Sequence, residues 1–156
     1  MNDALYQTAL DIECYIDEHL HDPQGLFYSY VDAITNKPFT REQIPADIVP
    51  RRAEIDPWAY WTYEDTVQMS GMYLDGLVRK YEVTGDKAAL QKADAVWAAL
   101  RNTYYGSQVF GRGSFLRPYG GYEGISRWVE PLGTDQASPT FAGVHRYMRH
   151  VPEEQR

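Results

Sequence analysis

The sequence is poor in cysteine and in positive charge. Its single cysteine, Cys14, cannot form an internal disulfide, and its place in an otherwise helical pattern predicts a small buried side chain. The 15 lysines and arginines, set against 22 aspartates and glutamates, give a formal net charge of −7. Because nucleic acids are bound by clustered cations that displace counterions, this balance disfavours DNA or RNA as a partner.

Long apolar runs and the common cofactor motifs are also missing. No stretch is long and apolar enough to span a bilayer, and the N-terminus lacks the basic and apolar regions of a signal peptide. The sequence contains no phosphate loop, dinucleotide fingerprint, nucleophile elbow or zinc-ligand spacing. We therefore predict no membrane partner, no cofactor and no metal. No localisation signal is visible, and a soluble, cytoplasmic chain is the expectation.

What the sequence does have is helical periodicity, interrupted by two long loops. Asp3 can cap a first helix, whose apolar residues recur at steps of three and four as far as Leu20. From His21 to about Trp61 the chain carries prolines that forbid a long helix, namely Pro23, Pro38, Pro45, Pro50 and Pro57. A loop of this length is usually functional.

Residues 62–103 are predicted to form an antiparallel helical hairpin. Thr62 is the predicted N-cap of the first arm, and the segment VTGD has the glycine and the capping aspartate of a tight turn between helices. Gly71 and Gly76 lower the helix propensity of the first arm. We therefore expect a neighbouring helix to approach the backbone closely at these two glycines.

A glycine-rich loop and a final helix follow the hairpin. Composition predicts a turn-rich surface loop, in which Glu130 is solvated. The loop also carries three arginines, Arg112, Arg117 and Arg127. Ser138 is the predicted N-cap of the last helix, with Pro139 at the first helical position. Asp135 and Gln136 then lie just ahead of this helix, where a side chain can point into a cleft.

Two stretches of the chain resemble a known family. The segment GMYLDGLVRKYEVTGDKAALQKA resembles the repeating hairpin of the six-hairpin glycosidase-like proteins, the α/α toroids that include many glycoside hydrolases, unsaturated-uronyl hydrolases and some polysaccharide lyases. FGRGSFLRPYGG, followed by TDQASPTFAGVHRYMRH, is similar to members in which an arginine-containing loop leads to an Asp-Gln pair that opens an inner helix. Together these segments cover residues 62–150. The resemblance implies carbohydrate binding or cleavage at the mouth of a helical ring.

The predicted fold class is all-α, consisting of helical hairpins of an incomplete α/α toroid with two long loops. Residues 1–156 are interpreted as a single α-helical domain, the N-terminal part of a larger toroid, because about four long helices are too few for six hairpins. Helices that pack between two layers in a complete ring would expose apolar faces here. Self-association through these faces is therefore expected.

The sequence offers candidate carboxylates for glycosidic cleavage. This reaction commonly uses one carboxylic acid that protonates the leaving oxygen and one carboxylate that acts as base or nucleophile. Asp135 is the preferred acid or base, with Asp65 or Glu64 as its partner. The alternative role of Glu64 and Asp65 is to favour the positive end of a helix, and that of Asp135 is a cap or turn.

The predicted substrate-binding residues lie beside these acids and in the glycine-rich loop. Trp58 and Trp61 are candidate sugar platforms, with coverage of the hairpin end as the alternative role. Arg117 is a candidate contact for an anionic sugar group, because a guanidinium fork matches carboxylate or sulfate, and ordinary surface charge is its alternative. Tyr119 and Gln136 complete the set.

We therefore predict a carbohydrate-active enzyme fragment that processes glycosides or glycans by carboxylate general acid/base catalysis, like a glycoside hydrolase. Polysaccharide lyase and sugar epimerase chemistry are further options on the same ring. The alternative is a non-catalytic helical module that binds sugar or a protein partner. The predicted ligand is a carbohydrate, preferably an acidic one because three arginines share one loop.

Overall fold

The computed structural model describes residues 3–151, so residues 1–2 and 152–156 of the predicted domain lie outside it. The helices are α1 (Asp3–His19), α2 (Pro57–Tyr63), α3 (Thr66–Thr84), α4 (Lys87–Ser107), α5 (Tyr122–Arg127) and α6 (Thr134–Tyr147). The described residues contain no β-strand, only isolated bridges, and the all-α prediction is confirmed. No helix in residues 3–151 combines the length and apolar character needed to cross a membrane.

The predicted hairpin is present and consists of α3 and α4. Gly85, at the end of α3, has a φ of +73°, a left-handed conformation that glycine adopts without a steric penalty. Asp86 then caps α4 by accepting a hydrogen bond from the Ala88 N–H at 2.9 Å. The main hydrophobic core lies between the two arms and α6, and includes Val67, Leu74, Leu77, Val78, Ala93, Val96, Leu100 and Tyr147.

Helix α6 crosses α3 at two glycines. A Cβ atom on Gly71 would lie 2.3 Å from the Thr140 Cα, and one on Gly143 would lie 2.2 Å from the Gly71 carbonyl oxygen. Only glycine fits at such distances, so the close approach expected at Gly71 is confirmed. The expectation for Gly76 is wrong, because no described atom lies within 4 Å of a Cβ placed there.

A short helix, α2, precedes the hairpin, where a loop was predicted up to about Trp61. Its N-cap is Asp56, whose carboxylate accepts the Ala59 N–H at 3.1 Å, and Pro57 occupies the first helical position. Thr62 therefore lies inside α2, and the prediction that it caps a helix is wrong. Asp56 followed directly by Pro57 is the signal in the sequence that marks this helix start. Residues 64–65 then form a turn that separates α2 from α3.

Helix α6 also begins earlier than predicted, at Thr134 rather than after Ser138. Gly133 is its N-cap, and Pro139 lies inside the helix. Proline has no N–H, so the i to i−4 hydrogen bond to the Asp135 carbonyl is lost at this point. Because α6 begins at Thr134, Asp135 and Gln136 lie in its first turn and not ahead of it.

Helix α1 lies on the outside of the hairpin and is attached to it through polar groups. None of its residues, Asp3–His19, is buried. Lys80 on α3 and Lys92 on α4 both contact the Glu13 carboxylate, at 2.7 and 2.5 Å. The Tyr73 hydroxyl donates a hydrogen bond to Asp17. Charge pairs therefore position this helix on the rest of the fold.

The apolar side of α1 borders a groove of about 410 Å³ against α3. Leu5 and Ile12 on α1 are exposed, and Gly76 lies on the groove wall. Cys14 is exposed as well, so the prediction of a buried cysteine is wrong. Helical periodicity could not show that α1 lies at the periphery. Apolar surface is thus available on α1, and self-association through it stays a prediction.

Candidate functional site

The turn between α2 and α3 positions the carboxylates of Glu64 and Asp65. Asp65 is the N-cap of α3, yet within the described residues its side chain does not cap that helix. Its Oδ1 instead accepts a hydrogen bond from Gln136 Nε2 at 3.0 Å, while its backbone N–H donates to Ser29 Oγ at 2.8 Å. The Asp65 carboxylate is therefore held towards the start of α6.

Arg117 is buried between two carboxylates. It is 1% exposed, and its guanidinium lies 3.6 Å from Glu64 Oε1 and 3.7 Å from Glu130 Oε1. Its Nη1 also donates to the Glu64 carbonyl oxygen at 3.1 Å. A buried charge is costly unless it is paired, and the two carboxylates supply that pairing.

The loop segment around Arg117 is part of the interior. Leu116 and Tyr119 are also buried, and the Arg117 N–H donates to the Glu130 carbonyl at 2.9 Å. Glu130 itself is buried. The predictions of a surface loop and of a solvated Glu130 are therefore wrong for this segment. Its polar and glycine-rich composition does not reveal that charges at distant positions pair with one another.

Gln136 joins α6 to the acid turn. Its side chain is fully buried, and its amide nitrogen donates to the Glu64 carbonyl as well as to Asp65. Its neighbour Asp135 is exposed. A Cβ atom on Gly133 would lie 2.2 Å from Asp135 Oδ1 and 3.4 Å from Arg117 Nη2. The Asp135 carboxylate and the Arg117 guanidinium thus lie on the same side of Gly133.

These contacts define one polar group, the acid–arginine cluster, which consists of Glu64, Asp65, Arg117, Glu130 and Gln136. It connects the acid turn, the glycine-rich loop and the start of α6. Four predicted site residues belong to it, and their contacts connect them: Glu64, Asp65, Arg117 and Gln136. Glu130 was not among the predicted site residues. Residues 116–119 around Arg117 are all buried, and no local pattern in the sequence indicates the pairing of Arg117 with Glu130.

Tyrosines surround the cluster on one side. The Tyr60 hydroxyl donates to Glu64 Oε1 at 2.8 Å, and the Tyr60 ring packs 5.7 Å from that of Tyr119. Burial, together with the hydrogen bond to Glu64, raises the pKa of Tyr60. Burial likewise raises the pKa of Tyr119. Both phenols are therefore protonated at neutral pH and able to donate a hydrogen bond.

The surface end of the cluster is at Glu64. Its side chain is 16% exposed, and Arg51, which is more exposed, lies 3.5 Å from Glu64 Oε1. Towards the interior, several buried polar atoms have no hydrogen-bond partner within residues 3–151: Arg117 Nε and Nη2, Tyr119 OH, Glu130 Oε2 and Gln136 Oε1. Buried polar groups of this kind normally bond to water or to a ligand.

An aromatic pair flanks the acid turn. Tyr30 stacks on Trp61, with ring centroids 4.5 Å apart and an interplanar angle of 27°. Burial and the carboxylates of Asp65 and Glu64 raise the pKa of Tyr30. Its neighbour Ser29 donates its N–H to the Thr62 carbonyl at 2.7 Å. Sequence reasoning missed Tyr30, because it lies more than thirty positions from the acids in a segment without a motif.

Trp58 has mainly packing contacts. Its Nε1 donates to the Phe39 carbonyl at 2.9 Å, its ring lies 6.0 Å from that of Tyr63, and the Arg41 guanidinium lies 4.7 Å from it. These contacts favour the alternative in which Trp58 covers the end of the hairpin. Its role as a sugar platform stays a prediction.

The three arginines of the glycine-rich loop are in different environments. Arg117 is buried, Arg127 is exposed with its guanidinium 4.6 Å from the Trp128 ring, and Arg112 is exposed.

No group of three or more metal-ligating side chains occurs in the part of the chain that is described. No protein-family model, curated protein or solved structure matches this chain.

Proposed function

We propose that this chain is the N-terminal part of an α/α toroid of the six-hairpin glycosidase-like type, and that it processes glycosides or glycans. The observation that carries the proposal is the acid–arginine cluster, in which carboxylates from distant segments are held by Arg117 and Gln136. A tight helical hairpin and a third helix packed on it also accord with one segment of such a ring.

In this proposal Asp135 is the general acid or base. It is exposed at the first turn of α6, next to a residue that is anchored to the acid turn. Asp65 is the second carboxylate, because Gln136 fixes its orientation. One group protonates the leaving oxygen while the other activates water or attacks the sugar carbon. In a lyase or an epimerase, the same groups would abstract a proton from carbon.

Glu64 and Arg117 have different roles in this scheme. Glu64 accepts a hydrogen bond from Tyr60 and contacts two arginines, so it is the alternative partner for Asp135. Arg117 is a positioning residue that acts through Glu64, because its guanidinium is buried. Gln136 and Tyr119 are equally buried and support the site from within.

The second candidate function is a non-catalytic module that binds sugar or a protein. The observation that favours it is α1, which buries none of its residues 3–19 and borders an apolar groove. Exposed apolar surface of this kind often marks a protein interface. Turnover distinguishes the two candidates, since a module binds its ligand without changing it.

The test is a screen of the chain with aryl glycosides and oligosaccharides, with release of reducing sugar as the measurement. We expect Asp135→Asn and Asp65→Asn each to lower the rate by about 100-fold or more, as the loss of a general acid or base does. Asp47→Asn, at an exposed position in the first long loop, is the matched control and should have the wild-type rate. Binding without turnover would favour the module.

A further inference from the structure

We propose that Tyr30 is the platform on which the substrate sugar stacks, and that this sugar is neutral. The inference rests on the proposed function, because it assigns a substrate class to the same site. A neutral sugar replaces the acidic glycan that was predicted from the three arginines of the glycine-rich loop.

The aromatic pair presents one exposed ring. Trp61 has Tyr30 stacked on it at 4.5 Å and Phe39 edge-on at 6.3 Å. Tyr30, by contrast, is 41% exposed. A ring that is backed by a second ring loses little conformational freedom when a ligand binds to it. Tyr30 is therefore a flat and pre-organised apolar surface, which suits the C–H face of a pyranose.

The platform lies close to the acid turn. Asp65 donates its N–H to Ser29, the residue next to Tyr30, and the Tyr30 phenol lies within electrostatic reach of Asp65 and Glu64. A sugar on Tyr30 would therefore have its edge towards these carboxylates. Sugar hydroxyl groups donate hydrogen bonds that carboxylates accept. An apolar wall combined with a few polar groups is the usual composition of a small-molecule binding site.

An independent observation that points to a polar ligand is the side chain of Gln136. It is fully buried, and its amide group lies against Asp65, yet its Oε1 accepts no hydrogen bond from any residue in the range 3–151. A buried acceptor without a partner is uncommon in native proteins. Because this atom is closed to solvent, a buried water that links it to the ligand is the partner that fits this position.

The charges around the acid turn favour a neutral sugar. Glu64, Asp65 and Asp135 are all carboxylates, and all three are at least partly exposed. The charges of Arg117 and Arg51 are compensated by carboxylates, since Arg117 is buried between Glu64 and Glu130 and Arg51 is paired with Glu64. A uronate or sulfate at this position would therefore meet several like charges.

The experiment measures binding by titration calorimetry, with cellotetraose, xylotetraose and mannotetraose as neutral probes and tetragalacturonate as the acidic probe. We expect at least one neutral probe to bind and tetragalacturonate not to bind. Tyr30→Ala should weaken the neutral complex by about tenfold or more, because an aromatic stacking contact is lost. Tyr30→Phe keeps the ring and should bind like the wild type.

Tyr105→Ala is the matched control, because Tyr105 is an exposed tyrosine on α4 and should not affect binding. Tight binding of tetragalacturonate alone would overturn this inference and leave the proposed function intact. An unchanged affinity of Tyr30→Ala for the neutral probe would overturn the platform. If a folded wild-type sample binds no probe and the activity screen is also negative, the proposed function fails and this inference fails with it.

Discussion

At the scale of the residue, Arg117 links the segments that form the acid–arginine cluster. Its guanidinium contacts the Glu64 carboxylate and carbonyl from the acid turn and Glu130 from the end of the glycine-rich loop. Removal of one member of a buried charge group leaves the others without compensation. Arg117 should therefore matter for stability as well as for the position of Glu64.

Arg117→Met is expected to lower the free energy of unfolding by about 3–5 kcal/mol, because Glu64 and Glu130 lose their buried counter-charge. Urea denaturation followed by circular dichroism measures this change. The control is Arg112→Met, since Arg112 is an exposed arginine of the same loop and its replacement should change stability by less than about 0.5 kcal/mol. Equal effects of the two substitutions would contradict the role given to Arg117.

At the scale of the element, the crossing of α3 and α6 sets the geometry of the site. The helices approach each other at Gly71 and Gly143, where backbone atoms occupy the space that side chains would need. This crossing holds the first turn of α6 beside the acid turn, because Thr140 donates to the Val67 carbonyl at 2.9 Å. A wider crossing would move Gln136 away from Asp65.

Gly71→Ala and Gly76→Ala are expected to change stability in opposite directions. The new methyl group at position 71 would clash with the Thr140 backbone, and overpacking of this kind costs about 2–3 kcal/mol. Position 76 lies in the same helix but has open space, so alanine should stabilise α3 by about 0.5–1 kcal/mol. Thermal and urea denaturation of both variants measure the difference. Destabilisation by Gly76→Ala would show that its surroundings are more crowded.

Helix α1 depends on ion pairs, and its attachment should therefore depend on pH. Burial alone would raise the pKa of Glu13, but Lys80 and Lys92 outweigh it and lower the pKa below the ordinary value of 4.5. A carboxylate with a lowered pKa in the folded state stabilises that state above its unfolded pKa, and this contribution is lost as the pH falls through the folded value.

We therefore expect the amides of α1 to exchange hydrogen faster as the pH falls below 4.5, the ordinary value for glutamate, after correction for the intrinsic rate, while those of α3 stay protected. Hydrogen exchange with mass spectrometry compares the two helices in one sample. Glu13→Gln should loosen α1 already at neutral pH and weaken the pH dependence, while the contacts of Asp17 with Lys92 and Tyr73 remain. Uniform loss of protection in both helices would mean global unfolding instead.

At the scale of the whole molecule, the core of the hairpin and α6 is well packed, whereas the apolar side of α1, which borders the groove, is not. Large apolar side chains are exposed on it, including Leu5 and Ile12. Contiguous apolar surface of more than a few hundred Å² tends to drive association. In the toroid proposed above, further helices would cover such a face.

The isolated chain is therefore expected to self-associate, and Ile12→Lys should shift it towards the monomer. Light scattering at several concentrations measures the mass, and thermal denaturation measures cooperativity. Thr8→Lys, a change at an exposed polar position of the same helix, controls for the added charge. A monodisperse wild-type monomer with one sharp unfolding transition would contradict the incomplete toroid.

The helical class, the α3–α4 hairpin and the approach of a helix at Gly71 could be predicted from residue patterns alone. These features depend on local causes, namely apolar periodicity, the Gly85 and Asp86 turn and the missing Cβ of a glycine. Glu64, Asp65 and Gln136 were named as site residues from the sequence, and whether they act on a substrate remains a prediction. The predicted positions of the helix starts were less accurate, because several residues near each start are able to act as the N-cap.

Which polar residues are buried, and which partners they contact, depends on the folded chain and could not be predicted from residue patterns. Arg117 lies in a segment whose composition is typical of a surface loop, yet it is buried because Glu64 and Glu130 compensate its charge. Tyr30 has no local signal and reaches the acid turn because the first long loop folds back on α2. Such pairings join positions far apart in the chain. Their free energy depends on desolvation and on side-chain geometry, and neither can be read from the spacing of residues in the sequence.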